Sequence, residues 1–283
     1  MFLASSTSLL FRIVAITSAG ACGIADYSDQ LRAALKEVAP EIKLVSDPAW
    51  LDPAIFFAHI DYWPEVVWLN HHAALHARWT PDHVRQLQAK GIKVVATLHD
   101  TRAGGPDTPN SEQLRGLHEV CDATIVHEPV EDLPRAEYLR QGIHAAVAPR
   151  MYDWRTMGGS QRPILGSVGF HFPWKNYDRV VQASADAGWA MVLLSNNATE
   201  EDEARWRRMQ PYLTCVRSFL PQDEAIHYLS GCDATIFAYE TANNGTSGAV
   251  RQGIAARKPV IAWRGCRQWR DLQLAEGAEA VRW

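Results

Sequence analysis

The sequence predicts an α/β protein built from two parallel-sheet halves that face each other across a cleft. Three observations lead there. Short apolar runs alternate with amphipathic ones almost from end to end, the pattern of buried parallel strands joined by crossover helices. The rhythm breaks over residues 150–162, which carry a Gly-Gly pair and no clean period and read as a linker. The phrase Cys-Asp-Ala-Thr-Ile begins at Cys121 and again at Cys232, each time between a helical run and a strand. Domains of residues 1–150 and 151–283 follow. Two such domains bring the carboxyl ends of their strands around a ligand cleft.

In order, the first half offers strands at 12–18, 54–60, 66–69, 93–98, 123–127 and 145–149. Helical patterns lie between them, including YSDQLRAALKEVA and PDHVRQLQAKG, the second ending at Gly91 as a C-cap. The second half restarts with ILGSVGF, a helix from Asn176, AMVLLS, a helix from Thr199, TCVRSF, a helix from Gln222, ATIFAY, a helix from Thr246 and PVIAW.

Composition bounds the function. A net charge of −4 gives no global basic footprint, which argues against nucleic acid as an obligatory partner. The five cysteines form no C-x-x-C pair and their number is odd, which fits a reducing, cytoplasmic setting. The N-terminus lacks a basic region before its apolar run and reads as a short extension rather than a signal peptide. No apolar stretch reaches the roughly 18–20 residues needed to span a membrane. The eleven tryptophans, such as Trp63, Trp79, Trp154, Trp174 and Trp263, suit packing first and sugar stacking second.

Several constellations carry chemistry. NNGTSGAVRQGIAARKPVIA, starting at Asn243, is a small polar loop opening a helix. Unpaired first-turn amides and the helix dipole make such a loop an anion site, although Thr246 or Ser247 could equally be an N-cap. GFHFPWKNYDRVVQA follows the first strand of the second half. It places Lys175 near a helix start, where the dipole disfavours a cation. A lysine there can neutralise a diphosphate, and its replacement would leave stability almost unchanged. SAGACGIADYSDQL is the matching loop of the first half; Gly20 and Gly23 allow tight turning, and Asp26 reads as an N-cap. It lacks the G-x-G-x-x-G spacing of a dinucleotide fingerprint. His99 with Asp100, and His127 with Glu128, end strands. His72 and His76 have i, i+4 spacing, but no supporting ligands accompany them, so no metal is expected.

Together these segments resemble the GT-B glycosyltransferases, family 4 above all. ILGSVGFHFPWKNYDRVVQA is similar to the strand–loop–helix whose lysine contacts the donor diphosphate. FLPQDEAIHYLSGCDATIFAYE with GTSGAVRQGIAARKPVIA resembles the long family signature. CGIADYSDQLRAAL and VVATLHD resemble the glycine loop and the strand ending in His-Asp. The resemblance implies two Rossmann-like domains, an acceptor-side one and a nucleotide-sugar one. It implies transfer of a hexose from a UDP- or GDP-linked sugar to a hydroxyl acceptor (a glycan, lipid-linked sugar or small molecule), retaining and without metal or other cofactor. By resemblance His99, Lys175 and Asn244 are the catalytic candidates. Gly23, His171, Lys175, Gly245, Thr246, Ser247, Gly248 and Gln252 are donor-binding, and Asp26 and Glu128 lie on the acceptor side.

The sequence also departs from that pattern. Asn244 and Gln252 stand where many members carry glutamates, with Glu240 four residues before Asn244; His171 stands near a missing arginine; and the chain stops early, as either a truncated chain or a compact variant with a short C-terminus. Two rivals remain. One glycosylates modified nucleobases in DNA, helped by the basic RWRRM stretch at 205–209. The other is a non-catalytic nucleotide-sugar-binding protein or partner subunit.

Overall fold

The computed structural model describes residues 11–19, 23–60, 63–72, 75–99, 109–127, 130, 133–139, 152–155, 161–240 and 247–262. The chain divides into two compact units, Met1–Arg140 and Gln141–Trp283.

The first unit runs β1 (Phe11–Ile16), α1 (Gly23–Val38), β2 (Ile42–Ser46), a 3-10 turn (Pro48–Leu51), α2 (Pro53–His59), β3 (Val66–His71), α3 (Pro81–Gln88), β4 (Lys93–Leu98), α4 (Pro109–Val120), β5 (Ala123–Val126) and β6 (Glu137–Tyr138). Its six-stranded sheet has the order β2-β1-β3-β4-β5-β6, and every pairing in it is parallel. The second unit runs β7 (Ile164–Val168), a 3-10 turn (Pro173–Lys175), α5 (Tyr177–Asp186), β8 (Ala190–Leu194), α6 (Glu200–Met209), β9 (Leu213–Val216), α7 (Gln222–Ser230), β10 (Ala234–Phe237), α8 (Gly248–Ala255) and β11 (Val260–Ala262). Its five strands are ordered β11-β10-β7-β8-β9, again with every pairing parallel. Both orders are doubly wound, with the direction of winding reversing between β1 and β3 in one sheet and between β7 and β10 in the other.

The repeated Cys-Asp phrase does the same work twice. Asp122 donates its amide to Val94 O at 2.9 Å and accepts from Val94 N at 2.9 Å. Asp233 does both to Ile164, at 2.8 Å each. Each aspartate thus clasps the start of the neighbouring strand and fixes the register of β5 on β4 and of β10 on β7. The cysteine before each is buried.

Several expectations give way. Residues 54–60 are not a strand: Asp52 caps α2 by accepting from Ala54 N at 3.0 Å, Pro53 opens the helix, and Phe56 is the residue it buries fully. The sheet instead takes β2, a partly exposed edge strand whose lysine hid it. The described part of the expected linker is docked on α7: Trp154 Nε1 donates to Tyr228 O at 2.9 Å, and Tyr152 packs edge-on to the Tyr228 ring. The RWRRM stretch is not a free basic face. Trp206 is fully buried, Arg205 pairs with Asp178 and Asp202, and Arg207 pairs with Glu203. The expected strand at 145–149 lies outside the described residues. Among the described residues no helix is long and apolar enough to cross a membrane.

Candidate functional site

In a doubly wound sheet the loops leaving the two strands at the reversal point turn to opposite faces and open a crevice at the carboxyl edge. In the second unit those strands are β7 and β10. The chain leaves β7 through Gly169, whose φ of +135° is glycine territory. A Cβ there would lie 2.3 Å from Lys175 Nζ, 3.1 Å from Tyr177 Oη and 3.4 Å from Ala249 Cβ. The glycine therefore sits where the lysine head and the first turn of α8 come together. Two bonds tie the segment after β10 to the same place: Glu240 N donates to Trp174 O at 2.8 Å, and Asn176 Nδ2 donates to Ala238 O at 2.9 Å.

Lys175 is only 5 % exposed. Among the described residues no carboxylate pairs with it. Its ammonium lies 5.2 Å from the Trp174 ring, 5.4 Å from Tyr239 and 5.9 Å from Phe172. Ring faces steady a cation without supplying a countercharge, so no negative group offsets the cost of burying the ammonium. Burial pushes its pKa down to about 7. The sequence placed this lysine at a helix start against the dipole. In the structure it closes the 3-10 turn ahead of α5, with Asn176 left-handed at φ 55° between them. Burial, not the dipole, is what opposes its charge.

Ser247 occupies the cap position of α8, yet its side chain makes no capping bond. A Cβ at Gly248 meets nothing within 4 Å, so space remains above that first turn. Gln252 is half-buried further along α8. Asn244, Gly245 and Thr246 lie outside the described residues. His171 turns toward α6: its Nδ1 is 3.1 Å from Asp202 Oδ2, and its ring meets the Trp206 edge. Burial pushes the Asp202 carboxyl up, but Thr199, Arg205 and His171 outweigh that and hold it down at about 2.

In the first unit the reversal point lies between β1 and β3. Asn70, near the end of β3, is fully buried there. Its Nδ2 donates to Ser28 Oγ at 2.6 Å, Thr17 Oγ1 at 3.2 Å and Ile24 O at 3.2 Å. Its Oδ1 meets His99 Nε2 at 2.5 Å. Tyr27 of α1 lies edge-on to His99 at 5.0 Å and to His127 at 5.1 Å, with the two imidazoles 5.3 Å apart. Burial, then the neighbouring histidines His127, His72, His71 and His76, hold His99 well below the ordinary imidazole value. Asp26 is not a cap: α1 begins at Gly23, which leaves Asp26 inside the first turn, where a carboxylate still suits the dipole. Gly23 is exposed with open space where a Cβ would stand. Glu128 and Asp100 lie outside the described residues.

His72 and His76 do not form a metal pair. His76 Nε2 donates to Ile16 O at 3.1 Å, and its Nδ1 accepts from His72 N at 3.1 Å, so both nitrogens serve the backbone. Among the described residues no group of three or more His, Cys, Asp or Glu could hold a metal ion.

Sequence reasoning missed Asn70, Thr17, Ser28, Tyr27 and Gly169. Asn70 was legible in principle: a polar residue inside the run Val66–His71 breaks an otherwise buried strand.

No protein-family model matches the chain, and no curated protein matches it. Solved structures do. HepE from Anabaena, in complex with UDP, is similar with a TM-score of 0.61 at 12% identity, over 93% of this chain and 82% of that one. A UDP-forming α,α-trehalose-phosphate synthase from Burkholderia xenovorans, in complex with glucose-6-phosphate, is similar with a TM-score of 0.61 at 12% identity, over 93% and 87%. An α-glucosyltransferase in complex with UDP and a 13-mer DNA is similar with a TM-score of 0.57 at 11% identity, over 91% and 80%. The chain has the GT-B fold, with one Rossmann-like sheet in each unit.

Proposed function

We propose that this protein is a glycosyltransferase that moves a hexose from a UDP- or GDP-linked sugar to a hydroxyl acceptor, retaining and metal-independent in the manner of family 4. The observation that carries the reading is Lys175: a buried ammonium with no carboxylate partner among the described residues, at the carboxyl edge of β7 beside the first turn of α8. A diphosphate supplies the missing negative charge. As the sugar departs, charge develops on that diphosphate, and the ammonium and the α8 amides stabilise it there. Gly248, Ser247 and the adjoining Gly245–Thr246 loop bind the phosphates. Gln252 takes a ribose hydroxyl and Asn244 a sugar hydroxyl. His171 assists the donor through Nε2, its Nδ1 being engaged by Asp202. In the first unit His99 faces the donor sugar and Gly23 is donor-binding, with Asp26 and Glu128 on the acceptor side.

The test is a thermal-shift panel of nucleoside diphosphates and their sugars, followed by donor hydrolysis. UDP or GDP at 100 times its dissociation constant adds about 2.7 kcal/mol of stability, and NAD adds none. Equal stabilisation by NAD, or none by any nucleoside diphosphate, removes the reading. Amides in place of glutamates at Asn244 and Gln252 favour one other reading, a non-catalytic sugar-nucleotide sensor. It predicts the same stabilisation with no hydrolysis and no transfer.

A further inference from the structure

The hydrogens around Asn70 can be assigned one at a time. Ile24 O can only accept, and Ser28 Oγ donates to it at 3.0 Å. With its proton committed there, Ser28 Oγ accepts from Thr17 Oγ1 at 2.6 Å and from Asn70 at 2.6 Å. The Asn70 atom that also reaches Ile24 O at 3.2 Å must therefore be the amide nitrogen. A flipped amide would set oxygen against a carbonyl oxygen and against a hydroxyl already supplied with donors. The amide oxygen is thus fixed toward His99, and an amide oxygen only accepts. At 2.5 Å, His99 Nε2 must carry the hydrogen. Burial, then the neighbouring histidines, hold the ring well below the ordinary imidazole value, which keeps it neutral and leaves a lone pair on Nδ1.

We propose that Asn70 is a positioning residue that fixes His99 as its neutral Nε2–H tautomer, so that Nδ1 can only accept and takes a hydroxyl hydrogen of the sugar, not a phosphate oxygen. An ionised phosphate oxygen is itself an acceptor and would face the Nδ1 lone pair unfavourably. The surroundings keep the ring in that state. Tyr27 from α1 and His127 after β5 face it, His71 and His72 at the end of β3 and His76 beyond them act from further off, and all these histidines oppose a second proton. Among the described residues no carboxylate faces it. The substrate assignment rests on the glycosyltransferase reading; the tautomer assignment does not.

The tautomer is read from long-range proton–nitrogen spectra of the full chain, with His99→Gln used to pick out its signal among eleven histidines. His99 gives a pyrrole-type Nε2 and a pyridine-type Nδ1, and does not titrate between about pH 8 and about pH 5.5. This measurement needs no variant at Asn70. A protonated Nδ1, or titration near the ordinary imidazole value, overturns the proposal. In Asn70→Asp a carboxylate replaces the amide, the ring titrates at a raised value, and Nδ1 becomes a donor. Nucleotide-sugar affinity then changes with pH through that value, because the hexose hydroxyl must turn from donor to acceptor, while UDP affinity stays flat because UDP lacks the hexose. An equal change for UDP and its sugar overturns the sugar assignment. The expected spectra without binding of any nucleotide sugar also overturn it, and locate the failure in the glycosyltransferase reading.

Discussion

Lys175 would be more comfortable uncharged. Its folded pKa of about 7 lies below the 10.5 of a free lysine, so the unfolded chain binds more protons between those values. Stability therefore rises with pH from about 7 to 10.5, and below pH 7 the full penalty of a buried charge is present. For a side chain 5 % exposed that penalty is on the order of a few kcal/mol. Lys175→Met then raises the melting temperature of the free protein at pH 7 and flattens the rise above it, although the lysine's sequence position suggested no effect on stability. Melting curves of both proteins from pH 6.5 to 9.5 check this; a less stable methionine variant contradicts it. A bound diphosphate restores the high pKa, so binding near pH 8 takes up a proton and weakens as pH rises. Calorimetry in buffers of different ionisation enthalpy detects that uptake, and its absence contradicts the charge assignment. Lys175 was legible in the sequence from its place after the first strand of the second half. Its burial was not, because Tyr239, from just after β10, joins Phe172 and Trp174 over it.

At the scale of elements, the two aspartate clasps make paired predictions. Asp122 accepts from Val94 N at 2.9 Å, Gln88 Nε2 at 3.0 Å and Lys93 Nζ at 2.7 Å. Burial pushes its carboxyl up, but those bonds outweigh it and lower the pKa below 3.8. Its stabilisation is present above the unfolded value and is lost as pH falls through the folded one. Asp122→Ala leaves the Val94 amide without its partner and costs about 1–3 kcal/mol in urea unfolding, and Asp233→Ala does the same through Ile164. A cost in one unit only would separate two roles that the geometry makes equal. The repeated phrase was readable as a sign of two similar halves, yet the clasp needs a strand partner 28 or 69 residues away, which local spacing does not reveal. The helix at Pro53–His59 was misread for the opposite reason. Its apolar run suits either period, and the Asp-Pro start that settles the matter is a one-residue signal. The basic stretch on α6 looked free because its acidic partners sit three or four residues back and on α5.

For the whole molecule, alternation of strands and helices was enough to read two parallel sheets, because buried strands and crossover helices leave different periods in the sequence. The strand orders were not readable, since register and neighbour choice depend on contacts between distant segments. Those orders matter most for function: they set the reversal points at β1/β3 and β7/β10, and so place Asn70 at one and Lys175 at the other. The central claim is that the second unit holds a nucleoside diphosphate at Lys175 and the first turn of α8. Calorimetric titration of UDP and GDP into the full chain, beside Lys175→Met and a control at the exposed Lys43→Met, tests it most directly. One diphosphate binds the wild type and the control alike, and Lys175→Met loses roughly 1.5–3 kcal/mol of binding, the worth of a hydrogen bond to a charged group. Equal affinity for all three proteins, or no binding of either nucleotide to the wild type, would contradict it.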